Sequence, residues 1–377
     1  MTTTINNKNK KPNVPNLRFP EFQGEWEKRT LGDASEFSKE RVNTQNLSSD
    51  NYVATENMLQ DYQGIIEASS FPTNTNVIKF NKGDVLLSNI RPYLKKVWFA
   101  EKNGGCSADV FVFKALSACI PDFLHYIIAN DRFINFAMSG AKGVKMPRGD
   151  KEQMKTYKIG LPSIEEQKKI AKLLSLLDER IATQNKVIYK LQSLIKGISS
   201  KIFASIQGIE YRMGDIASIT NGNSNVQDAV AEPNDGLYPF FDRSEDIKYL
   251  STFLFDKEAI IYPGEGAEFI PRYFKGKFAL HQRCYAIFDF NEIINAQYLY
   301  FYLKTQNSYF VRNAVGSTVP SLRLDTFQKL KVVVPPKEIQ YSVSLCLSLM
   351  EQKFKVENEI LQNLLKQKQY LLRQMFI

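Results

Sequence analysis

Apolar residues recur along residues 163–203 at alternating steps of four and three. The series runs Ile170, Leu174, Leu177, Ile181, the polar Gln184, Ile188, Leu191, Ile195, Ile198 and Ile202. An average period of 3.5, held for more than four heptads, predicts a long helix with a coiled-coil seam. At about 1.5 Å per residue, some forty residues make a rod of roughly 60 Å. Ser163 follows Pro162 and precedes Glu166 by three, which is the spacing of a capping box.

The pattern returns 173 residues later, over 336–376. Ile170, Leu174, Leu177 and Ile181 become Val343, Leu347, Met350 and Phe354, while Ile188 and Leu191 become Leu361 and Leu364. The polar Gln184 maps onto the polar Glu357, as expected for a layer that fixes register at some cost in stability. Ile195 becomes Lys368, the one poor match, and Ile339 stands where a second capping box needs an acid. The offset also relates Gln167 to Gln340, Gly143 to Gly316 and Pro147 to Pro320, so the chain is an internal repeat. Two such rods bury their seams most simply against each other, as an antiparallel pair with a globular domain at each end.

Between the rods the pattern shortens to alternation. Residues 76–80, 84–88, 96–100 and 109–113 read as strands, and 121–136 as one helix with Phe123, Ile127, Phe133 and Phe136 on a face. In the second half, 258–262, 278–280 and 284–288 read as strands and 296–305 as a helix. The local pattern Leu31-Gly32-Asp33 returns as Met213-Gly214-Asp215. In each half a glycine-bearing loop (140–148, 316–323) follows the helix, and a strand-like run (155–161, 330–334) then leads through proline into the rod.

Composition changes this picture little. Of the net charge of +9, the two helices carry +6, since 163–203 hold eight Lys/Arg against four acids and 336–377 six against four. Any nucleic-acid surface on the globular parts must therefore come from local clustering. Residues 1–16 have almost no apolar side chains and are expected to be a disordered tail without a signal peptide. Cys106, Cys119, Cys284 and Cys346 form no CxxC pair, and with His125 and His281 they make no zinc site; reduced thiols and a cytoplasmic setting are expected. Charges throughout both rods exclude membrane spans.

The chain has no GxxxxGK[ST], GxSxG or HExxH signature. Gly264-Glu265-Gly266 lacks a third glycine and is acidic where phosphate would sit, so it reads as a strand-to-strand turn. The basic loops are more informative. Arg91, Lys95 and Lys96 flank Tyr93, and Lys142, Lys145 and Arg148 lie in the first glycine loop. In the second half Arg272, Lys275, Lys277 and Arg283 are close in sequence, and Ser317, Thr318 and Arg323 occupy the second glycine loop. Such residues neutralise phosphates or read base edges, and the competing reading is solvated surface charge. The halves differ most in these segments, as different readers on a common frame would.

Several segments resemble the specificity subunit of type I restriction–modification systems. They are the opening Leu17-Arg18-Phe19-Pro20-Glu21-Phe22 with Trp26, Lys82-Gly83-Asp84-Val85-Leu86 before Arg91-Pro92-Tyr93-Leu94, Cys106-Ser107-Ala108-Asp109, and the junction Leu161-Pro162-Ser163-Ile164-Glu165-Glu166-Gln167 repeated as Val334-Pro335-Pro336-Lys337-Glu338-Ile339-Gln340. The resemblance implies an α+β chain with two globular α/β target recognition domains, separated by two long helices that form an antiparallel coiled coil. Its parts would be the tail 1–16, recognition domain 17–162, spacer helix 163–205, recognition domain 206–335 and spacer helix 336–377. It implies a non-catalytic chain whose domains each read half of a bipartite double-stranded DNA target, with the spacer setting the gap. It further implies two methyltransferase subunits that carry S-adenosylmethionine, and restriction–motor subunits, with no cofactor or metal on this chain. The alternatives are a helical scaffold that binds proteins and no specific DNA, and an enzyme whose site carries no familiar signature.

Overall fold

The computed structural model describes residues 12–377, so the expectation for residues 1–11 of the tail lies outside it. The chain divides into two compact units, Met1–Thr183 with Leu361–Ile377, and Gln184–Ile360. The division cuts both long helices, Ile164–Ser205 and Lys337–Gln374, so each unit is a mixed α/β body carrying a segment of each helix.

In the first unit Ser35–Phe37, Val110–Ala115, Val85–Ser88 and Val97–Phe99 form an antiparallel sheet in that order. Arg41–Asn43, Asn76–Phe80, Gly104–Cys106 and Tyr52–Val53 form another, whose last pair is parallel. Glu27–Thr30 pairs antiparallel with Lys158–Leu161, so the start of the domain is tied to the strand that feeds the rod. The helix expected over 121–136 is two helices, Pro121–Ile128 and Asp131–Ser139. Asn130 breaks it: its side chain accepts from Arg132 N and caps the second helix, while the apolar spacing runs on across the break.

The second unit is built on one six-stranded sheet, in the order Ser218–Asn221, Cys284–Phe288, Phe255–Pro263, Arg272–Leu280, Tyr238–Phe241, Lys248–Leu250. Ile209–Arg212 pairs with Lys331–Val334, repeating the tie seen in the first unit. Ala296–Lys304 is followed by a further helix, Asn307–Asn313, whose single apolar run, Tyr309-Phe310-Val311, is too short to show a helical period.

Burial follows the seam. From Ile181 to Ile198 every seam position of the first helix is part-buried and every position between is exposed. In the first unit Ile170 and Leu174 share a core with Leu372, Met375 and Phe376, whose ring stacks on Phe123 at 5.0 Å. Lys368, the seam's exception, is only 14% exposed and places Nζ 2.6 Å from Asp178, which also accepts from the Tyr126 hydroxyl. In the second unit Phe203 and Val343 pack on one core, and Gln184 Nε2 donates to Glu357 O (2.9 Å) and to its carboxylate (2.5 Å). Within each unit, positions rise along one helix as they fall along the other, so the paired segments are antiparallel.

The expected capping box is half made. Ser163 Oγ accepts from Glu166 N (3.3 Å), but the Glu166 carboxylate turns inward, 1% exposed, to Arg18 Nε and Nη2 (both 2.8 Å) and Trp26 Nε1 (3.2 Å). A charge-assisted fork inside the domain outcompetes a solvent-side bond to the helix start. Leu17 N donates to Gln374 O (3.0 Å), so residues 12–26 strap the start of one helix segment to the end of the other.

Candidate nucleic-acid interface

In the first unit the loop after Val85–Ser88 meets the glycine hairpin. Arg91 takes a left-handed conformation (φ 51°), and its N–H donates to Pro147 O (2.8 Å). Lys142 and Arg148 exchange N–H···O bonds of 2.9 Å across the hairpin, and Gly149 N donates to Asn89 O (3.3 Å). Gly143 at φ 96° makes the tip, where Val144 is fully exposed and Lys145 and Met146 point to solvent.

The second unit repeats these bonds with other side chains. Gly266 N donates to Pro320 O (3.0 Å), Val315 and Ser321 exchange bonds of 2.9 and 2.8 Å, and Leu322 N donates to Gly264 O (2.8 Å). Gly316 at φ 101° makes this tip, with Ser317, Thr318 and Val319 exposed. Gly264-Glu265-Gly266 lies between the strands Phe255–Pro263 and Arg272–Leu280, as its turn reading expects. A Cβ at Gly264 would lie 2.0 Å from Arg283 O, so only glycine fits there. Each unit thus holds a cradle made by main-chain bonds, in which Ile90 corresponds to Glu265, Arg91 to Gly266, Lys142 to Val315 and Arg148 to Ser321.

The candidate residues separate by what they touch. In the first unit Arg91, Tyr93, Lys142, Lys145 and Arg148 gather at the cradle, where Lys142 pairs with Asp150 (3.1 Å) and Arg148 with Asp109 (3.3 Å). The Gln153 N–H, then the Lys142 ammonium, hold the Asp150 carboxyl below the usual carboxylate range. Lys95 is paired with Asp131 (2.9 Å), and Lys96 Nζ donates to Thr55 O (2.7 Å), so both are engaged inside the unit.

In the second unit Ser317, Thr318 and Arg323 lie on or next to the hairpin, and Arg283 pairs with Glu265 through both carboxylate oxygens (2.9 and 3.1 Å). The other cations do not cluster. Arg272 lies over the Phe241 ring (5.0 Å) and donates to the carbonyls of Asp242 and Ser244, with burial lowering its pKa. Strand alternation puts Lys275 and Lys277 on the opposite face.

Sequence reasoning missed three features. Asp109 and Glu265 lie at the cradles, and Gln167 and Gln340, noted only as a matched pair, are both fully buried with the same three bonds. Gln167 Oε1 accepts from Ile120 N (2.9 Å), and its Nε2 donates to Ala118 O (2.9 Å) and Pro162 O (3.0 Å). Gln340 accepts from Asn295 N (2.7 Å) and donates to Ile293 O and Pro335 O (2.8 Å each). The repeat offset was the signal for this role.

The seam residues Ile170, Leu174, Leu177, Ile181, Gln184, Ile188, Leu191, Val343, Leu347, Met350, Phe354, Glu357, Leu361 and Leu364 are each buried or part-buried. A separate stripe, Tyr341, Leu345, Leu349, Val356 and Ile360, is exposed on the second helix. Among the described residues no group of three or more His, Cys, Asp or Glu could hold a metal ion, and no helix is long and apolar enough to cross a membrane.

A mixed α/β body feeding a long helix, built twice with one cradle in each copy, defines a duplicated domain on a helical frame. The family model for the type I restriction modification DNA specificity domain matches residues 23–193 and again 209–366, and the chain belongs to that family. It is 32% identical over 127 residues to the type I restriction enzyme EcoDI specificity subunit of Escherichia coli, covering 34% of this chain and 28% of that protein. It is 31% identical over 192 residues to the MjaVIII specificity subunit of Methanocaldococcus jannaschii, covering 50% of this chain and 43% of that one. The chain thus aligns with less than half the length of these relatives. Its fold matches the crystal structure of a type I restriction–modification S subunit from M. genitalium, with a TM-score of 0.68 and 18% identity over 97% of this chain and 99% of that one.

Proposed function

We propose that this chain is the non-catalytic DNA specificity subunit of a type I restriction–modification complex. Its two recognition domains, 17–162 and 206–335, each read one half of a split target in double-stranded DNA. The spacer helices, 163–205 and 336–377, set the gap. Two methyltransferase subunits, which supply S-adenosylmethionine and the chemistry, dock on the helices, and the Tyr341–Leu345–Leu349–Val356–Ile360 stripe is the apolar surface suited to a partner helix. Restriction–motor subunits complete the assembly, which works in the cytoplasm.

The observation that supports this reading best is the cradle built twice from the same main-chain bonds with different side chains. A fixed backbone with variable side chains is what two readers of different letters require. In the first half, Arg91, Tyr93, Lys142, Lys145 and Arg148 are the proposed DNA contacts. In the second they are Ser317, Thr318, Arg323 and Arg283, while Lys95, Lys96 and Arg272 brace their own units.

The test is co-expression with the candidate methyltransferase in a host lacking adenine methylation, followed by mapping of N6-methyladenine. A split motif with a fixed gap is expected, and exchange of residues 17–160 should change one half alone. A chain that forms no complex and binds no DNA would instead be a helical scaffold.

A further inference from the structure

The two cradles share a backbone and reverse its charge. Beneath the first, the strand-side residue is the acid Asp109 and its partner on the hairpin is the base Arg148. Beneath the second, the strand-side residue is the base Arg283 and its partner is the acid Glu265, on the loop facing the hairpin. The strand-side positions correspond, while Glu265 takes the place of Ile90 and Ser321 that of Arg148. Asn89 N donates to Asp109 O in one unit, and Gly264 lies against Arg283 O in the other. Around this pair the first cradle carries Arg91, Lys142 and Lys145, where the second carries Gly266, Val315 and Thr318. An interface that only gathers phosphates has no use for a carboxylate in its reading loop, since phosphate repels it.

Glu265 is held for contact at one point. Both carboxylate oxygens face Arg283 Nη1, its side chain is 18% exposed against 61% for Arg283, and its backbone pairs with Ser321 in the hairpin. The guanidinium offsets repulsion from DNA and fixes the rotamer, yet each carboxylate oxygen keeps a free lone pair. On a major-groove edge, the donors a carboxylate accepts from are the amino groups, N4 of cytosine and N6 of adenine. Guanine presents only acceptors there.

Resting on the function proposed above, we infer that Glu265 is a specificity-determining residue, accepting a hydrogen bond from a base amino group in the half-site read by residues 206–335. The first cradle has Ile90 at that position and cannot make this contact. Its cations suit phosphates and the acceptor edge of guanine.

The experiment uses the full chain with its methyltransferase partner and reads two quantities. Methylation mapping of Glu265→Ala should show one letter of one half-site relaxed, with the gap and the other half unchanged. Binding to synthetic duplexes then identifies the base. Replacing cytosine by 2-pyrimidinone, or adenine by purine, removes the amino group. At the one correct position this should weaken the unaltered complex by about 5–150-fold and the Glu265→Ala complex no further. Glu265→Gln gives up the charge that pairs with Arg283 but keeps an acceptor oxygen, and should keep the letter.

Retention of every letter by Glu265→Ala overturns the inference. So does an equal relaxation in Glu265→Gln, which would make the ion pair, and not the acceptor, the feature that matters. Preservation of the other half-site shows that the variant is folded. If the unaltered complex yields no split motif at all, it is the function proposed above that fails.

Discussion

The two helix starts offer a controlled comparison. Each has a buried glutamine holding the loop before the domain's helix, with three bonds of the same kind. One residue earlier they part. Glu166 anchors Arg18 and Trp26, whereas Ile339 is 43% exposed. The repeat has kept the bond that fixes the domain on its helix and dropped the one that holds a strap. Main-chain groups must be satisfied wherever they are buried, but a strap is needed only where residues 12–26 lie.

The largest effect that can test this comparison is loss of the glutamines. Gln167→Leu leaves a buried N–H and two carbonyls without partners and should cost about 3 kcal/mol or more. Gln340→Leu should match it, each variant lowering one of two calorimetric transitions. A twofold disagreement would show that the two clamps are not equivalent.

Acid should separate the units next. His125 is part-buried, and desolvation of its ring, then the Lys368 charge, lower its pKa to about 4. Counted from the capping residues Ile120 and Asn295, its counterpart is Tyr300, whose pKa burial raises. Between pH 6.5 and 4 the unfolded chain binds a proton at His125 that the folded chain refuses. The first unit should therefore lose about 3 kcal/mol as pH falls through that window, and nothing from this group above it. Urea titrations of the unaltered protein and His125→Phe, at pH 7 and pH 4.5, measure the difference.

Glu166→Ala leaves Arg18 and the Trp26 N–H without their partner and should cost about 2 kcal/mol, most of it seen as faster hydrogen exchange in residues 12–26. Ile339→Ala should stay within about 0.5 kcal/mol. A small effect is also expected at Lys368→Ile, which restores the repeat's apolar seam but takes the cation from Asp178, a carboxylate one-third exposed that keeps the Tyr126 hydroxyl. The two changes should nearly offset, to within about 1 kcal/mol by thermal melting.

The rods were legible in the sequence because a coiled-coil seam writes itself in side chains: one apolar position every three or four residues, and every such position is sheltered. The break at Asn130 was not legible, since Ile127 and Phe133 keep the helical spacing on either side of it. Glu166 was legible as a local cap because Ser163 is three residues away. Its partner Arg18 is 148 residues away, and no local pattern points to it. The cradles were hardest. Their bonds join backbone to backbone, leaving a mark at Gly143, Gly264, Gly266 and Gly316, and the basic residues that drew attention are in part bound elsewhere, as Arg272 is. Glu265 was passed over because it is the wrong charge for the simplest picture of a DNA surface.

The core of the first unit includes Leu372, Met375 and Phe376. On the ribosome those residues emerge after the whole second unit has been made. At roughly 5–20 residues per second, the first unit's apolar face waits on the order of ten to forty seconds for the segment that covers it. The unit synthesised first is thus completed last. A chain halted within the second helix would release a second unit nearly whole and a first unit with its core open, exposing the defect to protein quality control.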